Sequence, residues 1–285
     1  SLILDPADNK AIYAGSLENG MAYSYDGGEG WQIALGLGKV NVNNVAVDPA
    51  NKCVIYATAT NKVYKSADCN RTWSVVYYDN DPKAIVSSLV IDFTNSDNIF
   101  IGTSRGEIIK SSDRAGSWKT LDSLEGQIDK IVISPVNPKV IFAGIFSKGV
   151  FRSVDAGANW MNLSEKLTDF DGGRHVRDLA MVKAEKPTIF LASNYGLAKS
   201  TDGGDTWSKI DLIIQKTPIR INAIAINPFD TNEIYYVTDT TFYRSLDGGK
   251  NWTPRKLPTE RAGSKLLIDP KNPSVIYLGV KQFKK

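Results

Sequence analysis

The chain has 285 residues, of which 42% are hydrophobic and 23% charged, and its formal net charge is +3 at pH 7. This composition is typical of a globular protein with a sizeable core, and the charge is too small to indicate a nucleic-acid or membrane-surface partner. No stretch approaches eighteen consecutive apolar residues, so the sequence predicts no membrane span.

One motif recurs six times along the chain, and it contains all six tryptophans. Each copy has a Ser, an Asp two residues later and a Trp five residues after the Asp, and successive Trp lie 42 to 47 residues apart. A period of this length indicates a repeat architecture. The Asp and Trp residues, in chain order, are Asp26 and Trp31, Asp68 and Trp73, Asp113 and Trp118, Asp155 and Trp160, Asp202 and Trp207, and Asp247 and Trp252.

Around each motif the sequence predicts four short strands, which we name A to D. Runs of four to six residues rich in Val, Ile, Tyr and Phe, such as "VIYA" and "FYRS", are bounded by Asp-Pro, Asn-Pro or Gly. No window has convincing helical periodicity. Four strands in about 45 residues predict an all-β fold, a β-propeller of four-stranded antiparallel sheets. We expect the A–B turn and the motif, between C and D, at one rim, and the B–C loops and D-to-A crossings at the other.

The predicted number of blades is seven, with the last one incomplete. We predict a single propeller domain over residues 1–285, with six complete repeats and a partial seventh from about residue 263. The segments "KLLIDP", "VIYLGV" and "QFKK" correspond to strands A, B and most of C of that seventh blade. An uncovered strand edge invites pairing with other chains. We therefore expect the chain to be cut from a longer protein with further domains.

The residues of the repeated motif predict a structural role. An Asp side chain can accept hydrogen bonds from backbone N–H groups two residues on, glycines permit positive φ, and Trp buries a large apolar area. The alternative is a cation or ligand site that uses the repeated Asp. Clusters of His and Cys are absent from the sequence, so we predict no metal site and no cofactor.

Two cysteines, Cys53 and Cys69, fall in the second repeat. Cys53 begins the predicted strand B and Cys69 follows the end of strand C, so the two are near cross-strand neighbours. A disulfide and two free thiols both remain open. A disulfide would indicate an oxidising compartment, and we predict an extracellular, periplasmic or other exported location.

Candidate binding residues lie on the predicted variable loops. The longest crossing, residues 161–178, contains "SEKLTDFDGGRHVRD" and the chain's one His. Clustered Arg side chains recognise carboxylates and phosphates, although these could equally be scattered and solvated. The candidate ligand-binding residues are Arg105, Arg174, His175, Arg177, Tyr195, Arg220 and Arg261. The candidate catalytic carboxylates, on two crossings, are Asp79, Asp81, Asp169 and Asp171.

The motif Ser-x-Asp-Gly-Gly-x-x-Trp, together with "DPKNPSVIY", resembles the Asp box of BNR-repeat propellers over essentially the whole chain. Such propellers include sialidases, xyloglucan-degrading glycosidases with tandem propellers, sortilin-type receptor domains and the photosystem II assembly-factor type. The resemblance predicts the fold specifically, but it does not distinguish between the functions of these proteins. The Arg-Ile-Pro segment of sialidases is absent, and a glycosidase would need two carboxylates roughly 5–10 Å apart.

Two functions therefore follow from the sequence. The first is a non-catalytic binding or assembly propeller that presents its variable rim to a protein or anionic ligand. The second is a glycoside hydrolase domain, or half of one, acting on a polysaccharide. The use of every Trp in a box leaves only Tyr and Phe to stack on sugar rings, which favours the binding function.

Overall fold

The computed structural model describes residues 1–17, 19–167, 170, 173–183, 187–213 and 219–282. The predicted all-β class is confirmed: 26 strands are assigned in this part of the chain, with short 3₁₀ helices only at Leu35–Leu37 and Ser164–Leu167. Four consecutive strands form each of six four-stranded sheets, and neighbouring strands run antiparallel. The fold is a β-propeller with six four-stranded blades.

The chain divides into two compact units, Ser1–Ile131 and Val132–Lys285, and each is described by itself. The single domain over 1–285 stays a prediction. The first unit holds three blades and the start of β13. Its strands are β1 (Leu2–Leu4), β2 (Ile12–Gly15), β3 (Met21–Ser24), β4 (Gln32–Ile33), β5 (Val42–Asp48), β6 (Asn51–Ala59), β7 (Lys62–Ser66), β8 (Ser74–Tyr78), β9 (Val86–Ile91), β10 (Ile99–Thr103), β11 (Glu107–Ser111) and β12 (Lys119–Ser123).

The second unit holds the remaining blades and a two-stranded sheet. Its strands are β13 (Ile128–Ile133), which begins in the first unit, β14 (Ile141–Ile145), β15 (Gly149–Ser153), β16 (Met161–Asn162), β17 (Val176–Val182), β18 (Thr188–Ser193), β19 (Leu197–Ser200), β20 (Ser208–Ile210), β21 (Ala223–Asn227), β22 (Asp230–Val237), β23 (Thr241–Ser245), β24 (Thr253–Lys256), β25 (Ala262–Ile268) and β26 (Ile276–Lys281). The pair β25–β26 fits an incomplete last blade. Its predicted third strand falls largely on residues 283–285, outside the described residues.

Burial follows strand position within a blade. The second strand is the most buried, and every residue of β10, β14 and β18 is buried, because neighbouring blades cover both faces of the sheet. The fourth strand is the most exposed, as in β24. Successive blades approach closely: a Cβ added at Gly144 would lie 2.7 Å from Val176 Cγ1. This packing of sheet on sheet builds the core.

Asp residues close the turns between the first and second strands. Asp5 and Asp48 are each 1% exposed. Asp5 Oδ1 accepts a 2.8 Å hydrogen bond from the Ala7 N–H, and Asp48 Oδ1 accepts one of 2.8 Å from the Ala50 N–H. Both donors are two residues on, which is the pattern of an Asx turn. These turns fix the register of the two innermost strands.

Candidate functional site

Each Asp box is a closed hydrogen-bonded turn, which the second box illustrates. Ser66 Oγ donates to Asp68 Oδ1 at 2.9 Å and accepts from the Asn70 N–H at 3.1 Å. Asp68 Oδ1 also accepts from the Thr72 N–H at 2.9 Å, and Oδ2 accepts from Thr72 Oγ1 at 2.6 Å. The prediction that the box Asp accepts from the N–H two residues later is therefore wrong. In all six boxes the donor to Oδ1 is the N–H four residues on, at 2.8 to 2.9 Å.

These hydrogen bonds explain the acidity of the box carboxylates. The Thr72 hydroxyl and N–H lower the pKa of Asp68 to about 2. Ser117 and Asn159 act in the same way on Asp113 and Asp155. Because their lone pairs are engaged within the turn, these carboxylates are occupied by structural contacts. No group of three or more His, Cys, Asp or Glu that could hold a metal ion occurs among the described residues.

The box tryptophans differ in exposure. Trp31 is 47% exposed, whereas the other five are half-buried. Trp73 packs against a core cluster shared by the first and second blades, and Trp207 packs against one shared by the fourth and fifth. The exposure of the Trp31 ring differs from the prediction that the Trp of each box buries a large apolar area.

The two cysteines are joined. Cys53 and Cys69 form a disulfide with a Cα–Cα distance of 4.0 Å, and the Cys69 N–H donates to the Cys53 carbonyl oxygen at 3.1 Å. Cys69 has a φ of +58° at a position where three of the other boxes carry Gly. The bond therefore links the start of the second strand to the box turn of the same blade.

The crossing after the second blade contains an ion-pair cluster. Arg105 Nη2 donates to Asp79 Oδ2 at 2.7 Å and to Glu107 Oε2 at 2.8 Å, and Nη1 lies 3.3 Å from Asp81 Oδ2. Asp79 is 6% exposed. The carboxylates of Glu107 and Asp79 raise the pKa of Arg105. Arg105, a predicted ligand-binding residue, and Asp79 and Asp81, predicted catalytic candidates, thus bind one another.

In the second unit, loops from successive blades form a pocket. It has a volume of about 410 Å³ and is lined by Phe146, Arg177, Asn194, Tyr195 and Arg220. We call it the 146–220 pocket. Phe146 and Tyr195 are 40% and 43% exposed. Among the described residues, the lining consists of two guanidinium groups, two aromatic rings and one amide, without a carboxylate.

Backbone contacts position the pocket residues. Phe146, at the tip of the β14–β15 hairpin, forms an isolated antiparallel bridge with His175. The Ile221 N–H donates to the Ser193 carbonyl oxygen at 3.1 Å, which brings Arg220 beside Asn194. Ser193 Oγ accepts from the Tyr195 N–H at 2.9 Å and so fixes the β18–β19 loop. The B–C hairpins and D-to-A crossings of this unit therefore meet on one side, as the repeat predicts.

His175 lies between the two aromatic rings. Its ring centroid is 5.6 Å from that of Phe146 and 5.2 Å from that of Tyr195. Two buried polar atoms here, His175 Nδ1 and Asn194 Oδ1, have no hydrogen-bond partner among the described residues. A buried polar atom without a partner costs free energy, which a ligand could recover.

The structure therefore brings together four of the predicted ligand-binding residues: His175, Arg177, Tyr195 and Arg220. Arg174 is exposed next to His175, and Arg261 is exposed just before β25 and does not line the pocket. Asp169 and Asp171 lie outside the described residues.

Sequence reasoning missed Phe146 and Asn194. For Phe146 the available signal was an aromatic residue at a hairpin tip, because the corresponding tips of the second and third repeats carry Thr60 and Ser104.

Together, the repeat and the six blades define a β-propeller whose repeated turn has the form of an Asp box. The family model described as sortilin, neurotensin receptor 3, matches residues 195–285. A xyloglucanase from Paenibacillus sp. is 26% identical over 246 residues, which cover 78% of this chain and 21% of the relative. The chain spans 21% to 33% of the length of such curated xyloglucanase relatives.

Solved structures share the fold. The GH74 xyloglucanase from Xanthomonas campestris aligns with a TM-score of 0.78 at 18% identity, covering 98% of this chain and 50% of that one. A structure described as YCF48 bound to D1 peptide aligns with a TM-score of 0.72 at 14% identity, covering 99% of this chain and 94% of that one. At these identities the likeness concerns the fold alone. Among the described residues, no helix is both long and apolar enough to cross a membrane.

Proposed function

We propose that this chain is a non-catalytic binding propeller whose 146–220 pocket receives an acidic group of a protein partner. The observation that carries the proposal is the convergence of two guanidinium groups, Arg177 and Arg220, on one pocket beside two half-exposed aromatic rings. Guanidinium groups bind carboxylates through paired, charge-assisted hydrogen bonds. A likeness in fold to YCF48, whose structure is described as bound to a peptide, supports a peptide as the ligand.

The rest of the lining suits an acidic residue flanked by an apolar one. The half-exposed rings of Phe146 and Tyr195 offer flat apolar surfaces to the neighbouring side chain. Asn194 Oδ1, buried and without a partner among the described residues, offers an acceptor for a peptide N–H. The ligand class that fits is thus an extended acidic peptide segment.

The proposed location is an exported compartment. It is supported by the Cys53–Cys69 disulfide, because such bonds persist in oxidising surroundings.

The test uses labelled ten-residue peptides, with Asp or Glu beside Leu or Phe, and matched peptides with Asn or Gln. We expect only the acidic peptides to bind, and we expect Arg220→Ala to weaken their binding by about tenfold. Arg261→Ala is the matched control, because Arg261 is exposed in the same unit outside the pocket. Equal binding of acidic and amide peptides, or equal loss in both variants, would overturn the proposal.

The second candidate is a glycoside hydrolase or part of one, and its support is the sequence match to xyloglucanases. Of its four candidate carboxylates, Asp79 and Asp81 both contact Arg105, and Asp169 and Asp171 lie outside the described residues. A hydrolysis screen with xyloglucan and other polysaccharides distinguishes the two functions. Turnover that is abolished by Asp79→Ala in a folded variant would establish the enzyme and exclude the non-catalytic function.

A further inference from the structure

Within each unit, a basic side chain on the third strand of one blade holds the Asp box of the next. In the first unit, Lys65 Nζ of β7 donates to the carbonyl oxygen of Arg114 at 2.8 Å. In the second unit, Arg152 Nη1 of β15 donates to the carbonyl oxygen of Gly203 at 2.7 Å. Both acceptors directly follow the box Asp. One box position is therefore recognised in the same way by two different blades.

The box Trp supplies a second contact with the preceding blade. Trp118 Nε1 donates to the carbonyl oxygen of Val76, on β8, at 2.9 Å. Trp252 Nε1 donates to the carbonyl oxygen of Asp211, just after β20, at 2.7 Å. In both cases the acceptor belongs to the fourth strand of the preceding blade or to the residue after it. The third box makes both contacts, whereas the Trp207 indole of the fifth box donates to the Gly204 carbonyl oxygen of its own turn and its ring packs against a core cluster that includes residues of the preceding blade.

The sixth blade, β21–β24, carries the same receiving surface. Arg244 on β23 is the cross-strand neighbour of Tyr235 on β22, as Lys65 is of Tyr56. The guanidinium of Arg244 lies 5.7 Å from the Tyr235 ring centroid, and Lys65 Nζ lies 5.4 Å from that of Tyr56. The cation and the ring beneath it are therefore placed alike in both blades.

A cleft lies over this surface of the sixth blade. It has a volume of about 670 Å³, and its walls include Tyr235, Arg244 and Arg255 from the sixth blade and Pro273 and Ile276 from the β25–β26 sheet. We call it the 235–276 cleft. Arg244 is 47% exposed and donates to Glu233 Oε1, within its own blade, at 2.6 Å. The position that elsewhere binds the next box thus faces open space.

We propose that the 235–276 cleft binds a β-hairpin whose turn is an Asp box. Arg244 donates to the carbonyl oxygen that follows the box Asp, and the box Trp packs on β24. An acidic residue three positions after the Asp would strengthen the contact, because Arg152 also lies 3.0 Å from Asp205 in the equivalent interface. The docked hairpin continues the blade-to-blade interface already present in this unit. The site shares no residue with the 146–220 pocket.

The test is titration of the whole chain with a labelled synthetic peptide of the sequence of residues 197–210, the box that Arg152 holds. Fluorescence anisotropy is expected to show saturable binding to one site. A peptide with Ala in place of its Trp is expected to bind at least about tenfold more weakly, and Arg244→Ala in the protein is expected to have a similar effect. Lys250→Ala, an exposed change outside the lining, and Arg220→Ala, in the other pocket, are expected to leave the binding unchanged.

Three outcomes would overturn the proposal. The first is that no saturable binding is seen up to about 1 mM peptide. The second is that the Trp and Ala peptides bind equally well. The third is that the chain forms a dimer which Arg244→Ala dissociates and with which the peptide does not compete. The last outcome assigns the cleft to a second copy. Since Arg244→Ala leaves Glu233 without its cation, Arg244→Ala with Glu233→Gln is the second variant, and circular dichroism establishes that both are folded. The peptide substitution tests the same contact without altering the protein.

Discussion

Arg105 Nη2 lies 2.7 Å from Asp79 Oδ2. Through this ion pair, the crossing after the second blade has a structural role in the first unit. Asp79 is 6% exposed, so removal of the guanidinium leaves a carboxylate buried without its cation. We expect Arg105→Ala to lower the free energy of unfolding by about 1–3 kcal/mol, less than for a fully buried pair because Arg105 is 41% exposed. Urea unfolding followed by Trp fluorescence measures the change.

The matched control for Arg105 is Arg71→Ala, an exposed change in the same unit that is expected to alter stability by less than about 0.5 kcal/mol. If Arg105→Ala kept full stability and instead lost acidic-peptide binding, Arg105 would be a binding residue after all.

Thr72 sets the acidity of Asp68 through its hydroxyl and N–H, which hold the pKa of Asp68 at about 2. We expect Thr72→Ala to raise that pKa toward the ordinary value of about 3.9. A carboxyl whose pKa is lower in the folded state than in the unfolded state stabilises the fold at every pH above the unfolded-state pKa. That stabilisation is lost as the pH falls through the folded-state pKa. The stability difference between the two proteins should therefore be complete above about pH 4 and vanish near pH 2. NMR titration of the Asp carboxyl carbons measures the pKa directly.

The first box offers the converse experiment. Gly30 takes the place of Thr72 there, so Asp26 receives the backbone hydrogen bond, which lowers its pKa, without a side-chain donor at that position. A Cβ at position 30 would lie 2.9 Å from Asp26 Oδ2, so the end of the Asp26 side chain must shift slightly, and a Ser hydroxyl there would lie within its reach. We expect Gly30→Ser to lower the pKa of Asp26 further. An unchanged Asp26 titration, together with an unchanged Asp68 titration in Thr72→Ala, would show that the backbone donors alone set these values.

The parts of this molecule that the sequence predicts are the ones determined locally. A box spans eight residues and repeats six times, so its turn, its glycine positions and the strands beside it can be inferred from pattern alone. The ion pair of Arg105 with Asp79 joins residues 26 positions apart and depends on side-chain rotamers, which the pattern does not encode. The same holds for the 146–220 pocket, whose residues come from three different blades. His175, Arg177, Tyr195 and Arg220 could be predicted because they map to the variable rim of the repeat. Asn194 was missed because an Asn in a tight hairpin is ordinary.

The disulfide between Cys53 and Cys69 closes a loop with a sequence separation of 16 residues. A loop of this size is expected to contribute up to about 3 kcal/mol by restricting the unfolded chain. Reduction with dithiothreitol should therefore lower the denaturation midpoint of the native protein. Cys53→Ser should show the lower midpoint without reductant and no response to it. Thiol alkylation and intact mass measure the bond directly, and alkylation of both cysteines in the native protein without reductant would contradict the bond.

Tyr195 provides the sharpest prediction for the 146–220 pocket, because its ring is 43% exposed and its centroid lies 5.2 Å from that of His175. Removing the ring should weaken acidic-peptide binding by about threefold to tenfold, which corresponds to the usual contribution of one aromatic contact. Tyr78→Ala, which removes a 56% exposed ring in the first unit, is the matched control. Binding in native protein should also weaken as salt is raised, since the arginine contacts are partly exposed. If Tyr195→Ala and Tyr78→Ala bound the acidic peptides as tightly as the native protein, the peptide would have to lie outside this pocket.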